Sequence, residues 1–173
     1  MATKKTSMFT LTERLTISVA ATDTFATIDL GSYVDVGDRQ ALQIHSVDYI
    51  FQGTTADADL VSDLGNGNEL HVQTLDLNRG GLVFANDRAL VSSASIRADG
   101  NGGLDRVADL FPDNFGKGAD DGRYVVNDQL YITGHATNLI GPLNVTVRVN
   151  ASIVSLSAKD FMAIAIQSTA ADN

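Results

Sequence analysis

The chain contains no cysteine and no tryptophan among its 173 residues. The missing cysteine excludes disulfides, thiolate metal sites and cysteine nucleophiles together. Aromatic residues make up only 6% of the chain, which argues against a carbohydrate module that stacks sugar rings on aromatic platforms. A Ca²⁺-dependent lectin stays open, because such a protein binds sugar through the ion.

Basic residues are also scarce. The net charge is −9, and Lys4–Lys5 is the only local cluster of basic residues. A surface that binds nucleic acid needs a basic face, and two lysines are too few for a genome-packaging arm. We therefore expect no direct contact with nucleic acid.

Long apolar runs are missing as well. The first eight residues carry two lysines but lead into Thr10, Thr12, Glu13 and Arg14, not into an apolar segment. No stretch approaches the ~20 apolar residues of a membrane span. We expect neither a signal peptide nor a transmembrane segment.

Alternation of apolar and polar residues is the strongest positive signal. Leu143, Val145, Val147, Val149, Ala151 and Ile153 alternate with polar residues, as in a strand with one buried face. The same pattern recurs from Phe9 to Ile132. About eight strands separated by polar loops predict an all-β antiparallel sandwich or barrel.

Several local features qualify this pattern. Leu42 and Ile44 are out of phase with Val47, Tyr49 and Phe51, which indicates a β-bulge. Further local predictions are a bulge near Glu13–Arg14, strands over 81–85, 89–98 and 123–133, a surface loop over 53–68, and a helical turn over 104–110.

The domain organisation is simple. Residues 1–8 are predicted to be a flexible N-terminal arm, and residues 9–173 a single domain. The period changes after Leu156: Ser157 with Asp160 three residues later resembles a helix N-cap. Phe161, Ile164 and Ala165 then share one face. A short C-terminal helix over 157–168 is expected, covering a sheet edge or docking on a neighbour.

Metal-binding patterns are incomplete. His45, His71 and His135 lie on different predicted strands without a ligand-spaced neighbour, so we interpret them as ordinary face residues and not as a zinc site. Asp99, Asn101 and Asp105 have the alternating spacing of a Ca²⁺ loop, but the bidentate glutamate is missing. We therefore favour a flexible loop over a Ca²⁺ site for this stretch.

Other acidic clusters receive the same interpretation. We interpret them first as solvated turns and second as an inter-subunit Ca²⁺ site. These residues are Asp57, Asp59, Asp63, Asp120 and Asp121. The chain lacks a G-x-S-x-G elbow, a Walker loop and a G-x-G-x-x-G motif. Its aspartates are too numerous and turn-bound to nominate a catalytic pair. We predict no catalytic and no cofactor-binding residues, and no enzyme.

The arrangement as a whole resembles a single jelly-roll capsid protein of a tailless icosahedral virus that infects prokaryotes. The resemblance covers a short polar arm (MATKKTSM), the strand FTLTERLTISV, the pair QIHSVDYIFQ and ELHVQTLDL, the segment DLFPDNFGKGADDGRYVVNDQLYITG, and the strand VTVRVNASIVSLS followed by AKDFMAIAIQS. It lies in the architecture and not in an invariant motif.

This resemblance implies a single jelly roll of about eight strands and a structural virion protein, a major or minor capsid shell subunit that forms homo-oligomers. The chain departs from small capsids that condense single-stranded genomes, because an arginine-rich arm is missing. A second capsid protein or an internal membrane would then be a partner. The alternative function is a Ca²⁺-dependent extracellular binding module or adhesin with a β-sandwich fold.

Overall fold

Two antiparallel sheets face each other in the computed structural model, which describes residues 2–53, 60–99, 103–107, 115 and 122–169. The strands are β1 (Thr3–Lys4), β2 (Phe9–Ile17), β3 (Thr24–Asp29), β4 (Gln40–Gln52), β5 (Glu69–Leu75), β6 (Leu90–Ala98), β7 (Leu104–Val107), β8 (Arg123–Val125), β9 (Gln129–Ala136) and β10 (Leu143–Ser155). The helices are α1 (Leu60–Leu64) and α2 (Ala158–Thr169).

The order of the strands defines the fold. The first sheet runs β2-β10-β4-β8, with β1 beside the end of β10, and the second runs β3-β9-β5-β6-β7. The chain changes sheet at every connection between the eight main strands except the β5–β6 hairpin. This is the double Greek-key order of a jelly roll, so the predicted antiparallel sandwich and jelly roll are confirmed.

The core lies between the sheets and follows from the alternation. Inward residues of β10, from Leu143 to Ala151, are fully buried against side chains of the second sheet such as Leu130 and Ile132. Gly134 of β9 lies where the sheets come closest: a Cβ there would be 2.5 Å from Cδ2 of Leu15. Only a residue without a side chain fits this distance.

The bulge predicted in β4 is confirmed. The register between β4 and β10 shifts where Asn150 pairs with Ser46 and Ala151 pairs with Ile44, so His45 is the extra residue. His45 is buried, and its Nε2 lies 3.0 Å from Oγ of Ser152. The extra residue lets the apolar positions on both sides of it face the same core.

The bulge predicted near Glu13–Arg14 is wrong. The register of β2 with β10 continues without a shift from Phe9 to Ile17. Glu13 simply occupies an inward position of this edge strand and is half-buried. A charge at an inward position is one way in which an edge strand resists unwanted pairing.

The strand predicted over 123–133 is two strands in opposite sheets. β8 pairs with β4 in the first sheet and β9 pairs with β3 and β5 in the second. The chain crosses between the sheets at 126–128. Periodicity could not reveal the crossing, because apolar residues face the core on both sides of it.

Three other local predictions also need correction. Residues 81–85 form no strand but belong to an irregular loop, and residues 104–107 form a strand that pairs with β6 where a helical turn was expected. The loop predicted over 53–68 contains the helix α1. The strand expected over 89–98 is confirmed as Leu90–Ala98.

The N-terminal segment differs from the flexible arm that the sequence predicts. Thr3 and Lys4 pair with Ser155 and Val154 of β10. The amide of Lys5 donates to the carbonyl of Ile153 at 2.8 Å, and Oγ1 of Thr6 accepts the amide of Ile153 at 2.9 Å. Beyond the end of β2, the N–H and C=O groups along this edge of β10 would have no strand partner. The N-terminal segment forms hydrogen bonds with them.

The C-terminal helix is confirmed with its predicted cap. The amide of Asp160 donates to Oγ of Ser157 at 3.2 Å, and that hydroxyl donates to the Asp160 carboxylate at 2.8 Å. The predicted apolar face packs on the outside of the first sheet, against buried residues that include Val154 and Leu156. The helix therefore covers a sheet face of its own chain, and not a sheet edge.

Candidate functional site

The predicted Ca²⁺ ligands are only partly within the described residues. Asp99 closes a tight turn: its Oδ1 accepts the amide of Gly103 at 2.5 Å, and its own amide donates to the Gly103 carbonyl at 2.9 Å. Asp105 lies in β7, paired with Arg97. Asn101, Asp120 and Asp121 lie outside the described residues.

The structure gives Asp99 a turn-forming role, as in the solvated-turn interpretation. Of the other acidic residues considered, Asp63 accepts the amides of Ile140 and Gly141 through its carbonyl, at 2.8 and 3.0 Å. Asp57 and Asp59 fall outside the described part of the chain. Within that part, no three histidine or acidic side chains form a group that could hold a metal ion. The prediction that these acidic residues form solvated turns, with a Ca²⁺ site as the alternative, stays a prediction.

Two of the three histidines are brought together by the register of the second sheet. His71 of β5 lies directly opposite His135 of β9. Nε2 of His71 is 3.3 Å from Oε1 of Glu69, and Nδ1 of His135 is 2.7 Å from Oδ1 of Asp23. Each imidazole therefore has its own carboxylate, which holds the ring in place on the outer face of the sheet.

Away from α2, the outer face of the first sheet carries polar side chains. Oγ1 of Thr10 donates to Oδ1 of Asn150, and Oγ1 of Thr16 donates to Oδ1 of Asn144, both at 2.7 Å. Nδ2 of Asn150 continues the row to Oγ of Ser46 at 2.9 Å. These hydrogen bonds join polar side chains of neighbouring strands across this part of the face.

The outer face of the second sheet carries a folded loop, residues 77–89, which we call the 77–89 loop. The side-chain amide of Gln73 on β5 binds the backbone of Val83 twice: Nε2 donates to the carbonyl and Oε1 accepts the amide, each at 2.8 Å. A Cβ at Gly81 would lie 2.7 Å from Oδ2 of Asp23. The loop thus lies flat on the sheet and reaches the turn before β3.

Contacts within the 77–89 loop add to its order. Nη2 of Arg79 lies 3.2 Å from Oδ1 of Asp87, and the same oxygen accepts the amide of Ala89 at 2.8 Å. The amide of Asp87 donates to the carbonyl of Phe84 at 3.0 Å. The loop is therefore held at its base, at its centre and around Phe84.

Two phenylalanines project from this side of the molecule. Phe84 of the 77–89 loop is 86% exposed, and Phe25 on the outer face of β3 is 54% exposed. A phenylalanine in a folded domain is ordinarily buried. Exposed apolar side chains that share a face are typical of a surface that contacts another molecule.

A pocket of about 190 Å³ opens beside the 77–89 loop. Its walls combine polar and apolar side chains: His71, Gln73, Leu82, Val83, Ser93 and Ser95. Ser93 is buried, and its hydroxyl has no hydrogen-bond partner among the described residues.

Sequence reasoning did not find this surface. It predicted a strand over 81–85, and strand formation would have hidden Phe84 in a sheet. The signal that was available is the Asn78–Gly81 stretch, NRGG, followed by Leu82, Val83 and Phe84, an apolar triplet too short for a core strand between turn residues.

By its strand order, the chain is a jelly-roll protein. No protein-family profile and no curated protein sequence matches it. Among solved structures, VP1 of Trichodysplasia spinulosa-associated polyomavirus in complex with 3'-sialyllactose is 11% identical with a TM-score of 0.44, over 89% of this chain and 96% of that one. Merkel cell polyomavirus VP1, as an unassembled pentamer, is 12% identical with a TM-score of 0.44, over 90% and 98%. These scores are too low to support an argument, and the fold assignment rests on the strand order.

The described residues contain no helix that is both long enough and apolar enough to span a bilayer.

Proposed function

We propose that this protein is a self-assembling capsid shell subunit, a major or minor structural protein of a tailless icosahedral virion. Jelly rolls serve as capsid proteins, lectins and cupins, so the fold alone does not select among these functions. The choice among these functions therefore depends on which side chains the protein exposes on its surface.

The observation that carries the proposal is the exposure of Phe84 and Phe25 on one outer face. Phe84 sits on a loop that is anchored to the sheet beneath it through Gln73. A rigid, exposed apolar side chain favours a contact between protein surfaces, because little conformational entropy is lost when it binds. Identical subunits that meet through such surfaces can build closed symmetric assemblies.

The remaining parts of the proposal follow the sequence resemblance and the charge. The host is a prokaryote, the subunit is made in the host cytoplasm, and its destination is the virion. An acidic chain of net charge −9 does not neutralise a genome. A second capsid protein or an internal membrane confines the genome instead.

The test is expression of the full chain, followed by light scattering after size exclusion and negative-stain electron microscopy. Closed shells or defined multimers without bound nucleic acid support the proposal. The alternative, a Ca²⁺-dependent binding module, predicts a monomer whose melting temperature rises with CaCl₂ and falls back with EDTA. That result would overturn the capsid proposal.

A further inference from the structure

We propose that two copies of this chain pair through the outer faces of their second sheets, with Phe84 of each copy inserted into the pocket beside the 77–89 loop of the other. The inference rests on the proposed function, since it names one subunit contact of the assembly. Three features support the pairing: a projecting ring, a pocket, and the charge of the face that carries both.

The backbone that carries the projecting ring is held in place before any partner binds. Phe84 is 86% exposed, so its ring does not fill the pocket of its own chain. Its carbonyl accepts the amide of Asp87, and the neighbouring Val83 is bound twice by Gln73. A preorganised aromatic side chain is the typical anchor of a protein interface.

The pocket has the size for such a ring. Its volume is about 190 Å³, and a cavity of about 150 Å³ is enough to bind benzene. Leu82 and Val83 form an apolar part of its wall, while Ser93 and Ser95 form a polar part. A phenyl group can therefore enter without leaving a large void.

The position of the ring and the pocket selects the symmetry. Both lie on the same outer face, and Val83 lines the pocket directly next to Phe84 in the chain. In a two-fold pair, residue i of one copy contacts residue j of the other and the reverse contact forms at the same time. A ring and a pocket on one face meet this condition.

The charge of this face permits contact between two acidic chains. The second sheet's outer side and the 77–89 loop carry four acidic residues, Asp23, Asp29, Glu69 and Asp87, and Asp105 of β7, which pairs with Arg97, is a fifth. The same surface carries three basic residues, Arg79, Arg88 and Arg97. The whole chain has a net charge of −9. Because this face carries charges of both signs, basic side chains of one copy can lie near acidic side chains of the other.

The absence of native cysteine allows a direct test by disulfide trapping. Tagged Phe84→Cys protein is mixed with untagged Ser95→Cys protein under mild oxidation and run on a non-reducing gel. A covalent heterodimer of the two chains is expected. The matched control replaces Ser95→Cys with Thr12→Cys, which lies on the outer face of the first sheet and should give no heterodimer.

A second measurement uses Phe84→Ala. Because the ring is exposed, the melting temperature should stay unchanged, while self-association weakens roughly tenfold or more, as for a hot-spot residue. Phe25→Ala removes a ring of the same type from the same face, away from the pocket. Its loss should weaken self-association less.

The outcomes separate this inference from the proposed function. Shells that form normally from Phe84→Ala protein, without trapping between positions 84 and 95, would overturn the inference and leave the capsid proposal standing. Trapped dimers that never form shells would support the pairing and contradict the capsid function. A wild-type protein that stays monomeric, together with cysteine variants that give no trapped product, would overturn both.

Discussion

Asp76 and Arg123 join the two sheets through an ion pair at one end of the sandwich. Nη2 of Arg123, at the start of β8, lies 3.1 Å from Oδ2 of Asp76, which follows β5 and is fully buried. Nη2 of Arg123 also donates to the carbonyl of Arg88, and Nδ2 of Asn127 donates to the carbonyl of Asp76. The pair thus fixes the place where the chain crosses from the first sheet to the second.

Replacing Asp76→Ala should therefore destabilise the domain. It leaves the guanidinium of Arg123 without its carboxylate, at an expected cost of about 3 kcal/mol in the free energy of unfolding. This is the low end for a broken buried pair, because the Arg123 side chain remains 24% exposed. Urea unfolding measures the change.

The control for this variant is Arg79→Ala, which breaks the more accessible pair with Asp87. Its expected cost is below about 1 kcal/mol. Equal losses for Asp76→Ala and Arg79→Ala would contradict a special role for the buried pair.

Gly134→Ala should strain the core. The added Cβ would approach Cδ2 of Leu15 to 2.5 Å and Cδ1 of Ile17 to 2.7 Å, and overpacking of this kind costs about 1–3 kcal/mol. The midpoint of urea unfolding should fall accordingly. Combining Gly134→Ala with Leu15→Ala should cost less than the sum of the two single changes, and strict additivity would speak against the close contact.

Ser157→Ala should loosen α2 without unfolding the sandwich. The substitution removes the acceptor of the Asp160 amide, and the loss of such a cap costs about 1 kcal/mol of helix stability. Hydrogen exchange in α2 should accelerate severalfold, while exchange in β10 stays unchanged. Ser155 is the last residue of β10 and lies outside the helix, so Ser155→Ala is the matched control.

The same cap gives α2 a pH dependence. The hydrogen bond from Ser157 lowers the pKa of Asp160 below its ordinary value of 3.8. A lowered pKa in the folded state stabilises the helix above the unfolded pKa, and this contribution is lost as pH falls through the folded pKa. The protection factors of the α2 amides, in which the intrinsic exchange rate at each pH is divided out, should therefore fall below pH 3.8. Asp160→Asn should remove this dependence; a variant that keeps it would point to another group.

Removal of residues 1–8 should leave the jelly roll folded and loosen its edge. The truncation frees the backbone of β10 near Ile153 and removes Ala2 from the cluster that packs on α2. We expect faster hydrogen exchange at Ile153 and a small drop in melting temperature. If the segment exchanges between subunits in an assembly, the truncated protein should also assemble poorly. Normal assembly would rule out that exchange.

Much of the local structure could be predicted because it depends on neighbours in the chain. The phase change between Ile44 and Val47 predicts the bulge that the structure places at His45, and Ser157 with Asp160 predicts the start of α2. Both signals are short-range, since a bulge changes the side on which the next residues face and a cap spans three residues. The polar N-terminal segment gave no such signal, because its backbone hydrogen-bond partners in the structure, residues 153–155, are at the far end of the chain.

The sequence by itself determined that this protein is a β-sandwich with a capped C-terminal helix, because alternation and capping are written in adjacent residues. Only the tertiary structure decided which sheet each strand joins, that His71 faces His135, that Asp76 meets Arg123, and that Phe84 stands beside a pocket. Those pairings join residues far apart in sequence, and the free energy that selects them arises only when the two sheets close over a common core.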